Sequence, residues 1–422
     1  MNEDIISVNE IPTGVKRGST LEINTNDVVY FTHGLFKYPC KFIPQIPSWA
    51  IKKYTKQGDF VIDPFAGSGT TLVEAVLLER NALGIDFDKL SQLLCKTKTN
   101  TLTQEQIDLV NKFTLNIFNE KRKKAQFYPD LHNIEHWFPE QNIKDLAYLK
   151  TEIDSFFYES KDEKAYNFLL VVFASIIRKC SFADDTSPKP YVSSKIKKNP
   201  SDVKESFQKA IDSSLKKIHP YISKDLGDAV IIAEDCRNID APEYTGKVSL
   251  AVTSPPYINA FDYVRSLRLE NSWLGYYGDS NIIEIKKKQI GTECIPAQIY
   301  NRDINLTGYN QIDNIIKKIA EVDKKRAYVV YQFFIDMEQN ISEIHKLLVP
   351  NGHYIIVVGN SNIRDVYIST HELLIEVAKK NGFELENCFS YVIKNRYLRI
   401  PRKGKGGLIK KDFVIDLVKK NG

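Results

Sequence analysis

The sequence lacks several features that mark particular protein classes. Its six cysteines stand far apart with no CxxC pair, so neither a metal site nor a disulfide framework is indicated, and we expect reduced thiols in the core. No apolar run approaches the roughly 18 residues that a membrane span needs. The start, MNEDIISVNE, lacks the basic residues and apolar block of a signal peptide. We therefore expect a cytoplasmic protein without membrane contact.

The 422 residues have a globular composition, 43% hydrophobic and 26% charged. That length predicts two domains, or one domain with a large insertion. The net charge of +5 is mild, but residues 395–411 hold seven basic residues and no acidic one. This basic run is either a solvated surface or a stripe that contacts phosphates.

The order of apolar runs predicts an α/β fold. GDFVID (58–63) and NALGID (81–86) each end in an acid, and each is followed by a helical pattern. From about 105 to 225 this rhythm gives way to buried helical segments, the first of which starts at a capping box at Thr103. Further strands are predicted in DAVIIAEDCRNI, KVSLAVTSPPY, LVPNGHYIIVVGNS, KNGFELENCFSYVI and DFVIDLVKK.

Strands that alternate with helices predict a doubly wound, mostly parallel sheet, and the adjacent late strands indicate an antiparallel edge. We divide the chain into a cofactor-binding part (1–104), an inserted, mainly helical subdomain (105–225) that is a candidate for target recognition, and a catalytic part (226–422).

The loop DPFAGSGTT (63–71) places Gly67 and Gly69 between a strand and a helix, where a ligand approaches the helix N-terminus. The loop has no lysine, which excludes a P-loop, and Leu72 replaces the third glycine of the dinucleotide fingerprint. A ligand with an adenosine but no phosphate chain remains, and S-adenosylmethionine fits. Asp86 ends the next strand, where an acid accepts hydrogen bonds from a ribose diol.

The stretch TSPPY ends another strand at the carboxyl edge of the predicted sheet. Pro255 and Pro256 remove two backbone donors and hold the chain extended, which leaves carbonyl acceptors, and Tyr257 adds a flat face for stacking. The Ser254 hydroxyl and the Pro255 carbonyl are suited to accept hydrogen bonds from the exocyclic amine of a planar base. Such bonds expose the nitrogen lone pair for attack on a sulfonium methyl, once the base has left its stack.

Together, DPFAGSGTT and TSPPY resemble the amino-methyltransferases that modify DNA bases, and the serine version of the motif resembles the cytosine-N4 branch. KYPCKFIPQIP (37–47), EDCRNI (234–239) and PNGHYIIVVGNS are also similar to segments of that family. The resemblance covers about 230 residues. It implies a Rossmann-like methyltransferase sheet, S-adenosylmethionine as cofactor, double-stranded DNA as partner and a cognate restriction endonuclease as a candidate partner.

The resemblance also assigns site residues. In the cofactor site it assigns Asp63 to the methionine amino group, Asp86 to the ribose and Asp235, with Cys236, to the adenine. The loop residues assigned to the cofactor are Phe65, Ala66, Gly67, Ser68 and Gly69, and those assigned to catalysis are Ser254, Pro255, Pro256 and Tyr257.

Other assignments stay open between a functional and an ordinary packing role. Lys41 and Phe42 are candidates for the methionine end of the cofactor, and Asn259, Asp262, Tyr263 and Arg265 for the flipped nucleotide. The candidate DNA-binding residues are Arg265, Arg396, Arg399, Arg402, Lys403 and Lys405. The target-recognition element is either the insertion, with SSKIKK at 193–198, or the stretch 276–325.

The predicted function is cytosine-N4 methylation of duplex DNA, in a restriction-modification pair or by a solitary enzyme. Adenine-N6 methylation is the nearest alternative, because a serine acceptor serves either amine. RNA or protein-glutamine methylation and a catalytically silent DNA-binding subunit are more distant alternatives. The target sequence and the oligomeric state are not encoded in any motif.

Overall fold

The structure is a computed structural model, and a few short stretches lie outside the described residues. It describes residues 5–25, 28–41, 43–117, 125–195, 197–222, 224, 226–258, 261–393 and 410–420.

The strands follow the predicted apolar runs, with additions at the N-terminus and after β7. Their bounds are Ile5–Val8 (β1), Thr20–Ile23 (β2), Phe60–Asp63 (β3), Asn81–Ile85 (β4), Ala229–Ala233 (β5), Val248–Thr253 (β6), Leu348–Gly359 (β7), Ser361–Ile363 (β8), Val366–Ile368 (β9), Phe383–Val392 (β10) and Lys411–Lys419 (β11).

The helices cover both faces of the sheet and fill the predicted insertion. Their bounds are Gln45–Tyr54 (α1), Thr70–Leu77 (α2), Lys89–Lys98 (α3), Gln104–Asn116 (α4), Ile134–Trp137 (α5), Glu140–Ser160 (α6), Glu163–Ile177 (α7), Val203–Ile218 (α8), Tyr263–Ser266 (α9), Arg268–Leu274 (α10), Ile282–Lys288 (α11), Ala297–Tyr300 (α12), Asn310–Ala320 (α13), Lys324–Leu347 (α14) and Thr370–Lys380 (α15).

One large sheet organises the chain. Across the described residues it has nine strands in the order β1-β2-β10-β11-β7-β6-β3-β4-β5. The strands from β7 to β5 are mutually parallel, so their carboxyl ends share one edge. The chain proceeds outward from β3 in one direction and from β6 in the other, so the strand order reverses between these neighbours. Open α/β sheets bind ligands at such a switch point. The predicted doubly wound fold is confirmed.

Burial on both faces explains the continuous apolar runs of the central strands. In β6, Val248, Leu250, Ala251 and Val252 are buried. Leu250 and Val252 pack with α1 and α2 in one cluster, whereas Val248 and Ala251 pack with α13 and α14 in another. The sheet therefore lies between two helical layers, which leaves its carboxyl edge for the loops.

The predicted antiparallel pairing of the late strands is confirmed, but its place at the edge of the sheet is wrong. β11 is antiparallel to both β7 and β10, and β2 and β1 continue the sheet beyond β10 in parallel. These two N-terminal strands have four residues each. β1 has no alternation of buried and exposed residues, since its first three residues are exposed. A strand of this kind leaves little hydrophobic pattern in the sequence.

The segment 105–225 is helical as expected. α4 begins at the predicted capping box, in which Thr103 and Gln106 bond each other's backbone, and AYNFLLVVFASIIRKC forms the buried helix α7. Its apolar residues share one cluster with Leu94 of α3 and Trp273 of α10. The proposed domain boundaries stay a prediction.

All six cysteines are free, but only Cys95, Cys180 and Cys236 are buried. The expectation of core thiols is wrong for Cys40, which is exposed, and for Cys294 and Cys388, which are half-buried. Within the described ranges, no helix is both long and apolar enough to cross a bilayer.

Candidate active site

The two predicted motifs start side by side at the switch point. The glycine loop follows β3 and the TSPPY stretch follows β6, and Ile62 of β3 pairs with Ala251 of β6. The Thr253 hydroxyl donates to Asp63 Oδ1 at 2.6 Å, and both side chains are buried. The last residues of the two strands are therefore joined directly.

A cavity of about 260 Å³ opens above these strand ends. It brings together predicted residues from four separate stretches of the chain: Phe65, Ala66, Gly67, Ser68, Asp86, Asp235, Cys236, Ser254 and Pro256. The predicted residues Asp63, Gly69, Pro255 and Tyr257 are not among its lining residues and lie behind or beside it.

The glycine loop needs its glycines for two different reasons. Gly67 (φ +50°) and Gly69 (φ +77°) are left-handed, a conformation that costs other residues about 1–2 kcal/mol. A Cβ on Gly69 would also lie 3.2 Å from Cys95 Sγ and 3.3 Å from its Cα. The sharp turn lets the Gly67 amide donate to Asp86 Oδ2 at 2.8 Å.

Asp63 is buried beneath this loop. Its Oδ1 accepts from Thr253 and from the Phe65 amide. Its Oδ2 is buried and makes no close hydrogen bond within the described residues. Burial raises the pKa of this carboxyl to about 6, although the nearby Thr71 hydroxyl helps to lower it. A buried oxygen of this kind is suited to accept from a cationic group.

Asp86 lines the cavity, as Ser254 does. Besides the Gly67 amide, its carboxylate accepts from the Asp88 amide at 2.9 Å. Burial, and then the neighbouring carboxylate of Asp88, raise the pKa of Asp86 to about 7. The backbone amides fix the carboxylate, and its remaining lone pairs are acceptors for hydroxyl donors.

Asp235, which was assigned to the adenine, is held by an ion pair. Its side chain is exposed, and both oxygens accept from the Arg237 guanidinium, at 2.9 Å and 2.8 Å. Arg237 also reaches Asp336 Oδ1 at 3.3 Å. Both Asp235 and Arg237 line the cavity. The motif therefore supplies a fixed ion pair at this wall, with the buried Cys236 below it.

The TSPPY stretch faces the cavity with part of its length. Ser254 and Pro256 line it, Pro255 is buried and Tyr257 is half-buried. Tyr257 donates its hydroxyl to Asp412 Oδ1 at 2.7 Å. The ring is therefore held at its polar end by β11.

The open assignments divide between cavity and surface. Lys41 and Tyr263 line the cavity, and the Tyr263 ring stacks with Tyr38. Asp262 caps α9 and pairs with Lys286. Arg265 is exposed, and its role in DNA binding stays a prediction. Several predicted residues lie outside the described ones: Phe42, Asn259, Arg396, Arg399, Arg402, Lys403 and Lys405.

Some residues of the site were missed by the sequence analysis. Tyr38 and Asp88 line the cavity, as do residues 288–290, at the end of α11 and just beyond it. Lys98 is fully buried behind the glycine loop and donates to the Ser68 carbonyl at 2.7 Å. Tyr38 and Asp88 stand within or next to motifs already recognised, so proximity was their signal. α11 lies within the stretch 276–325 that was named as a candidate target-recognition element, but nothing in it indicated the cavity, and Lys98 carries no local pattern that marks it.

Comparisons with known proteins find similarity to DNA methyltransferases. A family model described as DNA methylase (N6_N4_Mtase) matches residues 13–93. The type II methyltransferase M.MvaI of Kocuria varians is 26% identical over 407 residues, which are 91% of this chain and 87% of that protein. M.BsoBI of Geobacillus stearothermophilus is 25% identical over 315 residues, 67% of this chain and 60% of that protein. M.MjaII of Methanocaldococcus jannaschii is 36% identical over 91 residues, 22% of this chain and 17% of that protein.

Proposed function

We propose that this chain, which belongs to the DNA amino-methyltransferase family, transfers a methyl group from S-adenosylmethionine to the N4 amine of cytosine in duplex DNA. The observation that carries the proposal is the shared cavity, which both the glycine loop and Ser254 line. A donor site and an acceptor site for a methyl group have to meet in this way. Similarity to M.MvaI, a type II methyltransferase, along most of the chain supports methyl transfer to DNA.

The residues around the cavity fit S-adenosylmethionine. Asp86 presents a carboxylate fixed by two backbone amides, which suits a ribose diol. Asp63 has a buried oxygen without a close hydrogen bond among the described residues, which suits an ammonium group. The lining loop has the left-handed glycines that permit close approach of a ligand. When bound, this cofactor supplies an electrophilic methyl group on a positively charged sulfur.

The role of Ser254 and Pro255 is to prepare the amine of the base. The lone pair of an exocyclic amine is delocalised into the ring, so the nitrogen is a poor nucleophile. The Ser254 hydroxyl and the Pro255 carbonyl each accept a hydrogen bond from the amine. These two bonds favour a tetrahedral nitrogen and expose its lone pair. After transfer the nitrogen loses one proton, which passes to solvent. Correct positioning accounts for most of the rate.

The base reaches this corner only after it leaves the duplex, and extrusion costs a few kcal/mol. Serine in the first motif position favours cytosine, and adenine N6 is the second candidate because the same acceptors serve its amine. We place the enzyme on genomic DNA in the cytoplasm, as the modifying half of a restriction-modification pair.

A digest of modified DNA tests the proposal. The full chain is incubated with S-adenosylmethionine and genomic DNA from a strain without DNA methyltransferases, and the nucleosides are separated by mass. We expect N4-methylcytosine, and far less of it from Ser254→Ala after the same short incubation. N6-methyladenine would move the activity to the second candidate, and unmodified nucleosides would overturn the proposal.

A further inference from the structure

The motif tyrosine is bound to a buried carboxylate from the far end of the sequence. Tyr257 donates to Asp412 Oδ1 at 2.7 Å, and Tyr391 donates to Asp412 Oδ2 at 3.1 Å. Asp412 is only 7% exposed. Both oxygens of one carboxylate are thus occupied by phenols from two different strand ends.

The antiparallel direction of β11 explains how Asp412 arrives there. A parallel strand would present its last residue at the carboxyl edge, whereas β11 presents its first. Asp412 pairs with Gly359 at the end of β7, and β7 in turn pairs with β6 up to Thr253. Asp412 therefore lies at the catalytic edge, two strands from the TSPPY stretch, and the Tyr257 side chain spans the gap.

Stability alone does not explain a buried carboxylate at position 412. In the part of the chain that the structure describes, the side chains that donate to Asp412 are both neutral, and burial raises the pKa of this carboxyl. A buried carboxylate with no cationic partner costs free energy that an apolar residue of similar size would not cost. The carboxylate does fix orientations. Its two hydrogen bonds restrict its own rotation and hold the Tyr257 ring in one orientation.

We propose that Asp412 is a positioning residue for methyl transfer: it holds the Tyr257 ring, and with it the Pro255–Pro256 corner, in the orientation that receives the target base. The inference rests on the proposed function. It assigns Asp412 no contact with substrate, since it acts through the Tyr257 hydroxyl. We call the hydrogen bond between Tyr257 and Asp412 the tether. Without it the Tyr257 ring can turn, and the acceptors on Ser254 and Pro255 then adopt the productive geometry with the amine less often.

Tyr391 offers a matched control within the same cluster. Tyr391→Phe removes one phenol hydroxyl from the same carboxylate as Tyr257→Phe does, but leaves the bond between Tyr257 and Asp412 in place. A general loss of stability around Asp412 would affect both variants alike. A positioning role affects Tyr257→Phe far more.

Steady-state kinetics on a duplex that the wild-type protein methylates tests the inference. We expect Tyr257→Phe and Asp412→Leu each to lower kcat by roughly 10- to 100-fold, with an unchanged KM for S-adenosylmethionine. Leucine is used because it has a similar shape and no acceptor, whereas asparagine would keep an amide oxygen that can accept from Tyr257. The double variant should be no slower than the slower single variant, because both changes remove the same bond. Tyr391→Phe should retain most of the wild-type kcat. If Asp412→Leu fails to fold, the comparison of Tyr257→Phe with Tyr391→Phe still decides.

Four results would overturn the inference. Equal losses in Tyr257→Phe and Tyr391→Phe, or multiplied losses in the double variant, would mean that the tether does not position the ring. An active wild-type protein with an unaffected Tyr257→Phe variant would overturn this inference alone. An inactive wild-type protein would overturn the proposed function and this inference together.

Discussion

Thr253 and Asp63 join the ends of two neighbouring strands through a buried hydrogen bond of 2.6 Å. Thr253 directly precedes Ser254, and Asp63 directly precedes the glycine loop. The bond therefore links the segment proposed to bind the base with the segment proposed to bind the cofactor. We expect it to help keep the two segments in register.

Thr253→Val removes the donor but keeps the shape of the side chain. Asp63 then loses one of the partners of its buried carboxylate, so we expect the free energy of unfolding to fall by about 1–3 kcal/mol. Urea denaturation measures this change. Thr253→Ser retains the hydroxyl and should stay closer to the wild-type value. Equal losses in both variants would show that the methyl group matters as much as the bond.

Gly69→Ala tests the close packing behind the glycine loop. Gly58 is its control, because it is also left-handed (φ +82°) but would have nothing within 4 Å of an added Cβ. We expect Gly58→Ala to cost about 1–2 kcal/mol from backbone strain, and Gly69→Ala about 1–3 kcal/mol more from the contact with Cys95. Thermal or urea unfolding compares them. Equal costs would indicate that Cys95 moves aside.

Much of the fold was predictable because the central strands are buried on both faces. Such strands appear as continuous apolar runs, and the acids and glycines at their ends fall where a parallel sheet collects its carboxyl ends. That is why Asp86 and Ser254 could be assigned to one site although 168 positions separate them (254 − 86). β1 and β2 escaped notice because they are short and β1 is largely exposed.

The parts of the site that were missed depend on tertiary packing. Nothing near Asp412 in the sequence indicates that its carboxylate meets Tyr257, since the contact requires the antiparallel placement of β11. Arg237 is different, because it stands two residues from Asp235 in the same motif, and its bond occupies the carboxylate that was assigned to the adenine. Periodicity predicts which face is buried, but not which polar groups meet at a sheet edge.

Ser254→Ala and Asp86→Ala should separate catalysis from cofactor binding. Ser254→Ala removes an acceptor needed by the amine, so we expect kcat to fall roughly 100-fold, with little change in the Kd for S-adenosylmethionine. Asp86→Ala removes a charged acceptor of the ribose, worth about 1.5–3 kcal/mol. Its Kd should therefore rise by about 10- to 100-fold. Calorimetry and single-turnover kinetics measure the two effects, and matched losses in both variants would contradict this division.

The affinity for S-adenosylmethionine should depend on pH through Asp86. Its pKa is raised from 3.8 to about 7, and a hydroxyl donor binds the ionised carboxylate better than the neutral acid. Affinity should therefore be full above pH 7 and fall as the pH drops, approaching about tenfold per unit well below it. Calorimetry between pH 5.5 and 8.5 measures the affinity of the wild type and of Asp86→Asn. The difference between the two curves removes the titration of the ligand's own amine. Parallel curves would contradict the assignment.

Lys98 should make the stability of the protein rise with pH. Burial lowers the pKa of its ammonium from 10.5 to about 7, so between these values the unfolded chain holds a proton that the folded chain lacks. The free energy of unfolding then gains up to about 1.4 kcal/mol per pH unit from this group. Urea denaturation at several values between pH 7 and 9 should show a smaller slope for Lys98→Met than for wild type. Lys96→Met, an exposed change on the same helix, should leave the slope unaltered. An unchanged slope in Lys98→Met would mean that the lysine stays charged in the fold, held by the Ser68 carbonyl.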